Sequence, residues 1–187
     1  MTPQEVTNQI FDLYARFGSN DYIGEPVSQV EHMSQAAHLA IDAGFDDEVV
    51  LAAFFHDIGH LCVAKNSEND MEGLGIKNHE KLGADYLREL GFPERIARLV
   101  ESHVEAKRYL CFARPEYLSK LSEASQKTLE LQGGIMTAAE AQQFEQNPLS
   151  HLMIKMREWD DTAKKTNTPI IDFGVLKEKM VRVLHHI

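Results

Sequence analysis

The sequence predicts an all-α fold that forms a single domain. Apolar residues recur at helical spacing along nearly the whole chain, and no alternating pattern is long enough to indicate a β-strand. The length of 187 residues suits one domain. A composition with 43% hydrophobic and 26% charged residues is that of an ordinary folded protein. We therefore expect one helical domain over residues 1–187.

Capping residues and glycines mark the first helices. A capping box that begins at Ser28 opens one helix, and Gly44 ends it. A second helix begins near Asp46 and runs to Phe55. It is apolar on every side, which predicts a buried helix at the centre of the fold. Residues 61–78 show no clear periodicity of apolar residues and are expected to form a long loop.

Six further helices are predicted after this loop. Asn78 caps the first of them, which stops at Gly91. Pro93 opens the next, and its inner face includes His103 and Lys107. The remaining helices are expected near residues 115–131, 137–146, 149–160 and 174–185.

Composition argues against several classes of protein. There are 19 Lys and Arg against 29 Asp and Glu, a net charge of −10 that does not suit binding to a nucleic-acid backbone. The longest apolar run, residues 49–55, is too short for a membrane span. Cys62 and Cys111 lie in dissimilar contexts, which favours two buried thiols in a reducing compartment over a disulfide. We expect a cytoplasmic protein with no nucleic acid, membrane or obligate protein partner.

The most informative segment is residues 54–60, Phe-Phe-His-Asp-Ile-Gly-His, where the apolar helix ends in titratable side chains. A buried polar group without a partner costs about 1–3 kcal/mol, so His56 and Asp57 need partners. The dipeptide by itself is a weak motif. A hydrogen-bonded cluster in the core or a helix C-cap explains it as well as a metal site does.

Other side chains that are expected to point inward favour a metal. His32 lies at the edge of an apolar helix face, His79 begins a helix, and His103 lies on an apolar stripe. Asp160 continues another apolar stripe, although spacing alone does not separate it from Asp161. Four imidazoles and two carboxylates together suit one or two ions such as iron or manganese. The absence of a cysteine cluster argues against a structural zinc site.

These residues resemble a known family. The pattern His32…His56-Asp57…Asp160 is similar to that of the HD-domain superfamily, whose commonest members are metal-dependent phosphohydrolases. The two further histidines resemble its dinuclear branch. Three segments resemble the PhnZ-type organophosphonate oxygenases, and the likeness extends from residue 22 to about residue 161. The segments are residues 21–25 (Asp-Tyr-Ile-Gly-Glu), 56–60 (His-Asp-Ile-Gly-His) and 103–109 (His-Val-Glu-Ala-Lys-Arg-Tyr).

The resemblance implies an HD-domain helical bundle that holds two iron ions, Fe(II)/Fe(III), with dioxygen as co-substrate. Asp57 would bridge the irons, because its two oxygens can serve two cations. The other ligands would be His32, His56 and Asp160 for one iron, and His79 and His103 for the other. Asp161 is then expected to face solvent.

Further roles follow from the same resemblance. Tyr22 and Glu25 would form a lid over the irons, with the tyrosine as a ligand that the substrate displaces. The phosphonate group would be bound by His60, Lys107, Ser125 and Arg157. From the residues alone, Tyr22 and Glu25 also fit an ordinary polar loop. Arg108 would replace Lys107 if the helix were rotated.

The implied reaction is the oxidative cleavage of the C–P bond of a 1-hydroxy-2-(amino or trimethylammonio)ethylphosphonate. Its products would be phosphate and glycine or glycine betaine. Glu25 is the nearest acid for the substrate nitrogen. A primary ammonium would donate hydrogen bonds to it, whereas a trimethylammonium would need charge attraction and aromatic faces.

The alternative activity is that of an HD-type phosphohydrolase acting on a nucleotide or another phosphate monoester. It predicts a larger pocket, with basic or aromatic groups that hold a base. The pair Tyr22 and Glu25 is the feature that discriminates between the two enzymes.

Overall fold

The structure is a computed structural model that describes residues 1–22 and 24–185. In these two ranges every regular element is a helix, which confirms the predicted all-α single-domain fold. None of the helices described is both long enough and apolar enough to cross a membrane. The helices are α1 (Pro3–Phe17), α2 (Gln29–Asp42), α3 (Asp47–Phe55), α4 (Gly59–Cys62), α5 (His79–Glu89), α6 (Glu94–Glu101), α7 (His103–Ala113), α8 (Pro115–Leu118), α9 (Glu123–Leu131), α10 (Ala138–Glu145), α11 (Ser150–Thr162) and α12 (Phe173–His185).

Helix α3 lies at the centre of the core, as its apolar sequence predicts. The Asp46 side chain accepts a hydrogen bond from the Val49 amide and caps the helix. Every residue from Val49 to Phe55 is at most 1% exposed, and the helix packs against α2, α6, α11 and α12. Each buried Val, Leu or Phe side chain among them contributes about 1.5–3 kcal/mol. The end of α3 therefore carries His56 and Asp57 into the interior.

Several helix boundaries differ from the prediction. Asn78 has a left-handed backbone (φ 54°) and its side chain caps nothing, so α5 begins at His79 without a side-chain cap. The helix predicted from Pro93 through Lys107 is broken at Ser102 into α6 and α7. The Ser102 hydroxyl donates to the Leu99 carbonyl, a local bond that competes with helix continuation. His103 is therefore the first residue of a new helix.

The predicted helix over residues 115–131 is also two helices, α8 and α9. Ser122 caps α9 by accepting a hydrogen bond from the Ser125 amide. A small second core of Cys111, Leu121 and Leu129 holds α9 beside α7. Both cysteines are free thiols, as predicted; Cys111 is buried as expected, whereas Cys62 is only partly buried.

Helices α4 and α5 approach each other at two glycines, Gly59 and Gly83. A Cβ added at Gly59 would lie 1.9 Å from the main-chain oxygen of His79, which has no room to move independently of α5. We expect Gly59→Ala to displace α5, to cost about 1–3 kcal/mol or more of stability, and to lower Tm by roughly 5–10 °C. Calorimetry checks this. Gly174→Ala is the matched control, because its Cβ would meet only the Asp172 side chain; equal stability of the two variants would contradict the packing argument.

Candidate metal centre

Six buried titratable side chains from five helical segments converge at the inner end of α3. Each is at most 5% exposed. They are His32 on α2, His56 and Asp57 directly after α3, His79 at the start of α5, His103 at the start of α7, and Asp160 on α11. The structure thus brings together all the residues that the sequence suggested as metal ligands.

Main-chain carbonyl groups orient all four histidines. A carbonyl oxygen accepts only, so each Nδ1 donates, and each neutral ring keeps its Nε2 lone pair for another partner. The four bonds are His32 Nδ1 to Ala163 O (2.9 Å), His56 Nδ1 to Ala53 O (2.9 Å), His79 Nδ1 to Ile76 O (3.2 Å) and His103 Nδ1 to Val100 O (2.8 Å).

The Nε2 atoms then face each other in two pairs. His32 Nε2 lies 2.9 Å from His56 Nε2, and His79 Nε2 lies 3.0 Å from His103 Nε2. Two lone pairs at this separation repel each other unless a proton or a metal ion lies between or beside them. The donor set therefore fits a cation at each pair.

Asp57 lies between the two pairs. Its Oδ2 is 3.5 Å from His32 Nε2 and 3.3 Å from His56 Nε2. Its Oδ1 is 3.3 Å from His79 Nε2 and 3.4 Å from His103 Nε2. One oxygen faces each pair, which is the arrangement a carboxylate needs to bridge two cations. Asp57 Oδ2 also has no hydrogen-bond partner among the described residues.

The two oxygens of Asp160 have different environments. Oδ1 lies 3.4 Å from His32 Nε2 and has no hydrogen-bond partner in the described part of the chain. Oδ2 accepts a hydrogen bond of 2.6 Å from Arg157. Asp160 thus offers one free oxygen to the pair of His32 and His56. Asp161 does not face solvent as expected: it accepts hydrogen bonds from Arg157 and from Tyr117.

Electrostatics at the site reflect the crowding of imidazoles and carboxylates. Burial alone would lower the pKa of His56, but the adjacent Asp57 carboxylate raises that pKa to about 9. Burial lowers the pKa of His103 to about 3. Burial alone would raise the pKa of Asp57, yet the imidazoles of His56 and His79 hold it well below its usual value. Without a metal, protons occupy part of the space that cations would take, so metal binding displaces them.

His60 lies beside this cluster but is oriented differently. Asp57, His60 and His79 also have potential ligand atoms within 4.8 Å of one another. However, His60 Nδ1 accepts a hydrogen bond from the Ile76 amide, so the neutral ring carries its proton on Nε2. Burial lowers the pKa of His60 well below its usual value, which keeps the ring neutral. His60 is thus a hydrogen-bond donor, and His103 is the better metal ligand.

A cavity of about 220 Å³ opens beside the metal centre. Lys107 lines it and is only 2% exposed. Its Nζ donates to Thr128 Oγ1 (2.9 Å) and to the Ser125 carbonyl (3.5 Å), and among the described residues it forms no ion pair. Burial, together with the nearby Arg157, lowers the pKa of Lys107 to about 7. A buried ammonium without a counter-charge suits an anionic ligand.

The other predicted anion-binding residues have varied surroundings. Ser125 and Arg157 both line the cavity. The guanidinium of Arg157 already donates to Asp160, Asp161 and Tyr117. Arg108 turns away from the cavity and binds Glu140 and main-chain oxygens, so the alternative to Lys107 does not apply.

Tyr22 and Glu25 both line the cavity, on the loop that precedes α2. The Tyr22 ring stacks on His32, with centroids 3.9 Å apart and planes 13° apart. Burial raises the pKa of Tyr22 well above its usual value. Glu25 forms an ion pair of 2.7 Å with Lys164. The intervening Ile23, part of the motif quoted above, lies outside the described residues.

Sequence reasoning missed three polar residues at the site. Lys164 pairs with Glu25, Thr128 binds Lys107, and Tyr117 binds Arg157. None of the three carried a usable sequence signal: Lys164 lies beyond the end of α11 at Thr162, so helical spacing from Asp160 does not place it.

Comparisons with known proteins identify relatives that match nearly the whole chain. The chain is 44% identical over 177 residues to the uncharacterized protein L432 of Acanthamoeba polyphaga mimivirus, covering 95% of this chain and 81% of that protein. It is 38% identical over 185 residues to the hydroxymethylphosphonate dioxygenase of Gimesia maris, covering 99% and 91%. It is 40% identical over 180 residues to the [1-hydroxy-2-(trimethylamino)ethyl]phosphonate dioxygenase (glycine-betaine-forming) of Leisingera caerulea, covering 95% and 89%.

The model of the HD domain family matches residues 30–163, which include all six converging side chains. The resemblance seen in the sequence motifs is thereby confirmed. The chain belongs to the HD domain family, in the branch that contains these two phosphonate dioxygenases.

Proposed function

We propose that this protein is an iron- and oxygen-dependent dioxygenase that cleaves the C–P bond of a 1-hydroxyphosphonate. The substrate class is a 1-hydroxy-2-(amino or trimethylammonio)ethylphosphonate, and the products are phosphate and glycine or glycine betaine. The observation that carries the proposal is the position of Asp57 between two histidine pairs, beside a small cavity whose Lys107 forms no ion pair within residues 1–22 and 24–185. The names of both dioxygenase relatives support a hydroxyphosphonate substrate, and that of the Leisingera caerulea relative supports a nitrogen substituent on it.

The converging side chains would hold two iron ions. His32, His56 and Asp160 would bind one, His79 and His103 the other, and Asp57 both. This mixture of imidazole and carboxylate ligands suits iron. Bound iron would supply the one-electron chemistry that dioxygen needs in order to react with a closed-shell substrate.

The cavity residues would bind the phosphonate and orient the substrate carbon. Lys107 supplies a charge-assisted hydrogen bond to the anion, and His60 donates from Nε2. Ser125 adds a hydroxyl at the cavity wall. Arg157 contributes positive charge and also fixes Asp160 through their 2.6 Å hydrogen bond.

Tyr22 and Glu25 would close the cavity. The Tyr22 ring covers His32 on the side of the metal centre, so it restricts the access of water there. A lid of this kind protects an oxidising site from side reactions.

The size of the cavity favours this activity over hydrolysis of a nucleotide. Pockets for drug-sized ligands are usually about 300–1,000 Å³, whereas this cavity is about 220 Å³. A hydroxyphosphonate of two carbons needs little space, and a nucleoside needs considerably more. The phosphohydrolase remains the second candidate, for a small phosphate ester.

Oxygen dependence is the test of the reaction type. We expect phosphate release from 2-amino-1-hydroxyethylphosphonate by the iron-loaded protein to require O₂. With ¹⁸O₂, one labelled atom should enter the carboxylate of glycine, as measured by mass spectrometry. The reason is that oxidation of C1 to a carboxylate needs an oxidant, whereas hydrolysis needs only water.

Two controls make this result decisive. The same protein under argon, with a phosphate monoester of similar size, tests for hydrolysis directly. Phosphate release under argon at the rate seen in air would contradict the oxygenase proposal and favour the phosphohydrolase.

A further inference from the structure

Lys164 is a cation that contacts Glu25 and Ser125, two residues that line the cavity, and its role is not explained by the metal centre or by phosphonate binding. Its Nζ lies 2.7 Å from Glu25 Oε1 and 3.4 Å from Ser125 Oγ, and 5.9 Å from the centre of the Tyr22 ring. The side chains of Lys164 and Glu25 are 15% and 10% exposed. The pair is thus largely shielded from water, where charge interactions are stronger than at an open surface.

The segment that carries Lys164 is firmly held. The Ala163 carbonyl accepts the hydrogen bond from His32, and the main chain of Lys165 exchanges two hydrogen bonds with the Gln35 side chain. The position of Lys164 is therefore tied to α2 on both sides. Glu25, by contrast, lies in a turn in which its amide donates to the Tyr22 carbonyl.

We infer that Lys164 determines substrate specificity by competing with the substrate for Glu25. This rests on the proposed function, in which a hydroxyphosphonate occupies the cavity. A cationic group on C2 of the substrate has to share or replace Lys164 at the Glu25 carboxylate. An uncharged substituent does not compete in this way, because the ion pair of Glu25 and Lys164 carries no net charge.

The charges predict opposite effects for the two single substitutions. Lys164→Met leaves Glu25 as an unpaired anion, which attracts an ammonium group. Glu25→Gln leaves Lys164 as an unpaired cation, which repels it. The double variant has neither charge and should discriminate as the wild type does. If the pair only held the lid in place, both single variants would bind both ligands more weakly.

The test compares two ligands of equal shape. Iron-loaded protein is titrated without oxygen by calorimetry with 2-amino-1-hydroxyethylphosphonate and with 1-hydroxypropylphosphonate, in which a methyl group replaces the ammonium. The measured quantity is the ratio of the two Kd values, which needs no turnover. Lys165→Met is the matched control, since that exposed neighbour contributes only main-chain hydrogen bonds.

We expect Lys164→Met to shift the ratio toward the amine by roughly tenfold and Glu25→Gln to shift it away by a similar factor, as one unit charge a few ångströms away would do. Lys165→Met should leave it unchanged. Shifts of the same sign in both single variants, or none, would overturn the role of Lys164 while leaving the proposed function intact. If the wild type bound neither of these phosphonates nor the trimethylammonio analogue of the first, the proposed function would fail, and this inference with it.

Discussion

Asp57→Asn is expected to lose both iron ions and to lower phosphate release by roughly a thousandfold or more, since metal chemistry supplies several kcal/mol of stabilisation. Asp57 presents one oxygen to each histidine pair, so its replacement by an amide weakens the binding of both cations at once. His103→Ala should lose one ion preferentially. Elemental analysis of purified protein checks both expectations, with about two irons per chain expected for the wild type.

Asp47→Asn is the matched control for the change of carboxylate to amide. Asp47 pairs with Lys179 and Arg182 on the protein surface, away from the metal centre. The Asp47→Asn variant should keep both irons. A wild type that binds one metal ion, unaffected by removal of His79 or His103, would refute the dinuclear site.

Lys107→Ala should raise the Kd for a hydroxyphosphonate by roughly 10- to 150-fold, equivalent to about 1.5–3 kcal/mol for a charge-assisted hydrogen bond. Lys107 is buried at the cavity, and its partners among the described residues are a hydroxyl and a carbonyl, so the anion would supply its missing counter-charge. Anaerobic calorimetry on the iron-loaded variant measures this.

Arg108→Ala is the natural comparison, because it removes a neighbouring cation that binds Glu140 instead of facing the cavity. The Kd of the Arg108→Ala variant for the hydroxyphosphonate should stay within about twofold of the wild-type value. Equal losses in the two variants would mean that general positive charge, and not a contact from Lys107, attracts the phosphonate.

The elements that could be predicted from sequence are those with strong local signals. The continuous apolar run of α3 identified the central helix, and the capping box at Ser28 placed the start of α2. The break at Ser102 could not be predicted, because apolar periodicity continues across it and one local hydrogen bond decides the outcome. The left-handed Asn78 was missed for a similar reason, since its residue type also suits a helix cap.

The candidate site divides in the same way. The candidate metal ligands could be found because imidazoles and carboxylates on apolar helix faces are unusual. The pairing of Glu25 with Lys164 could not, since 139 positions separate the two residues and only tertiary packing brings them together. The same holds for Tyr117, which reaches Arg157 from a helix that was not predicted as a separate element.

The main-chain anchoring of the four histidines bears on how this family can vary over evolution. Each imidazole is held by the carbonyl of Ala53, Ile76, Val100 or Ala163, and a carbonyl is present whatever side chain stands at that position. Substitutions at these four positions are therefore limited by the volume of the new side chain and not by its ability to form hydrogen bonds. Relatives could exchange these residues among apolar types of similar volume and keep the same ring orientation, so sequence divergence at these positions need not mean divergence in the geometry of the four histidines.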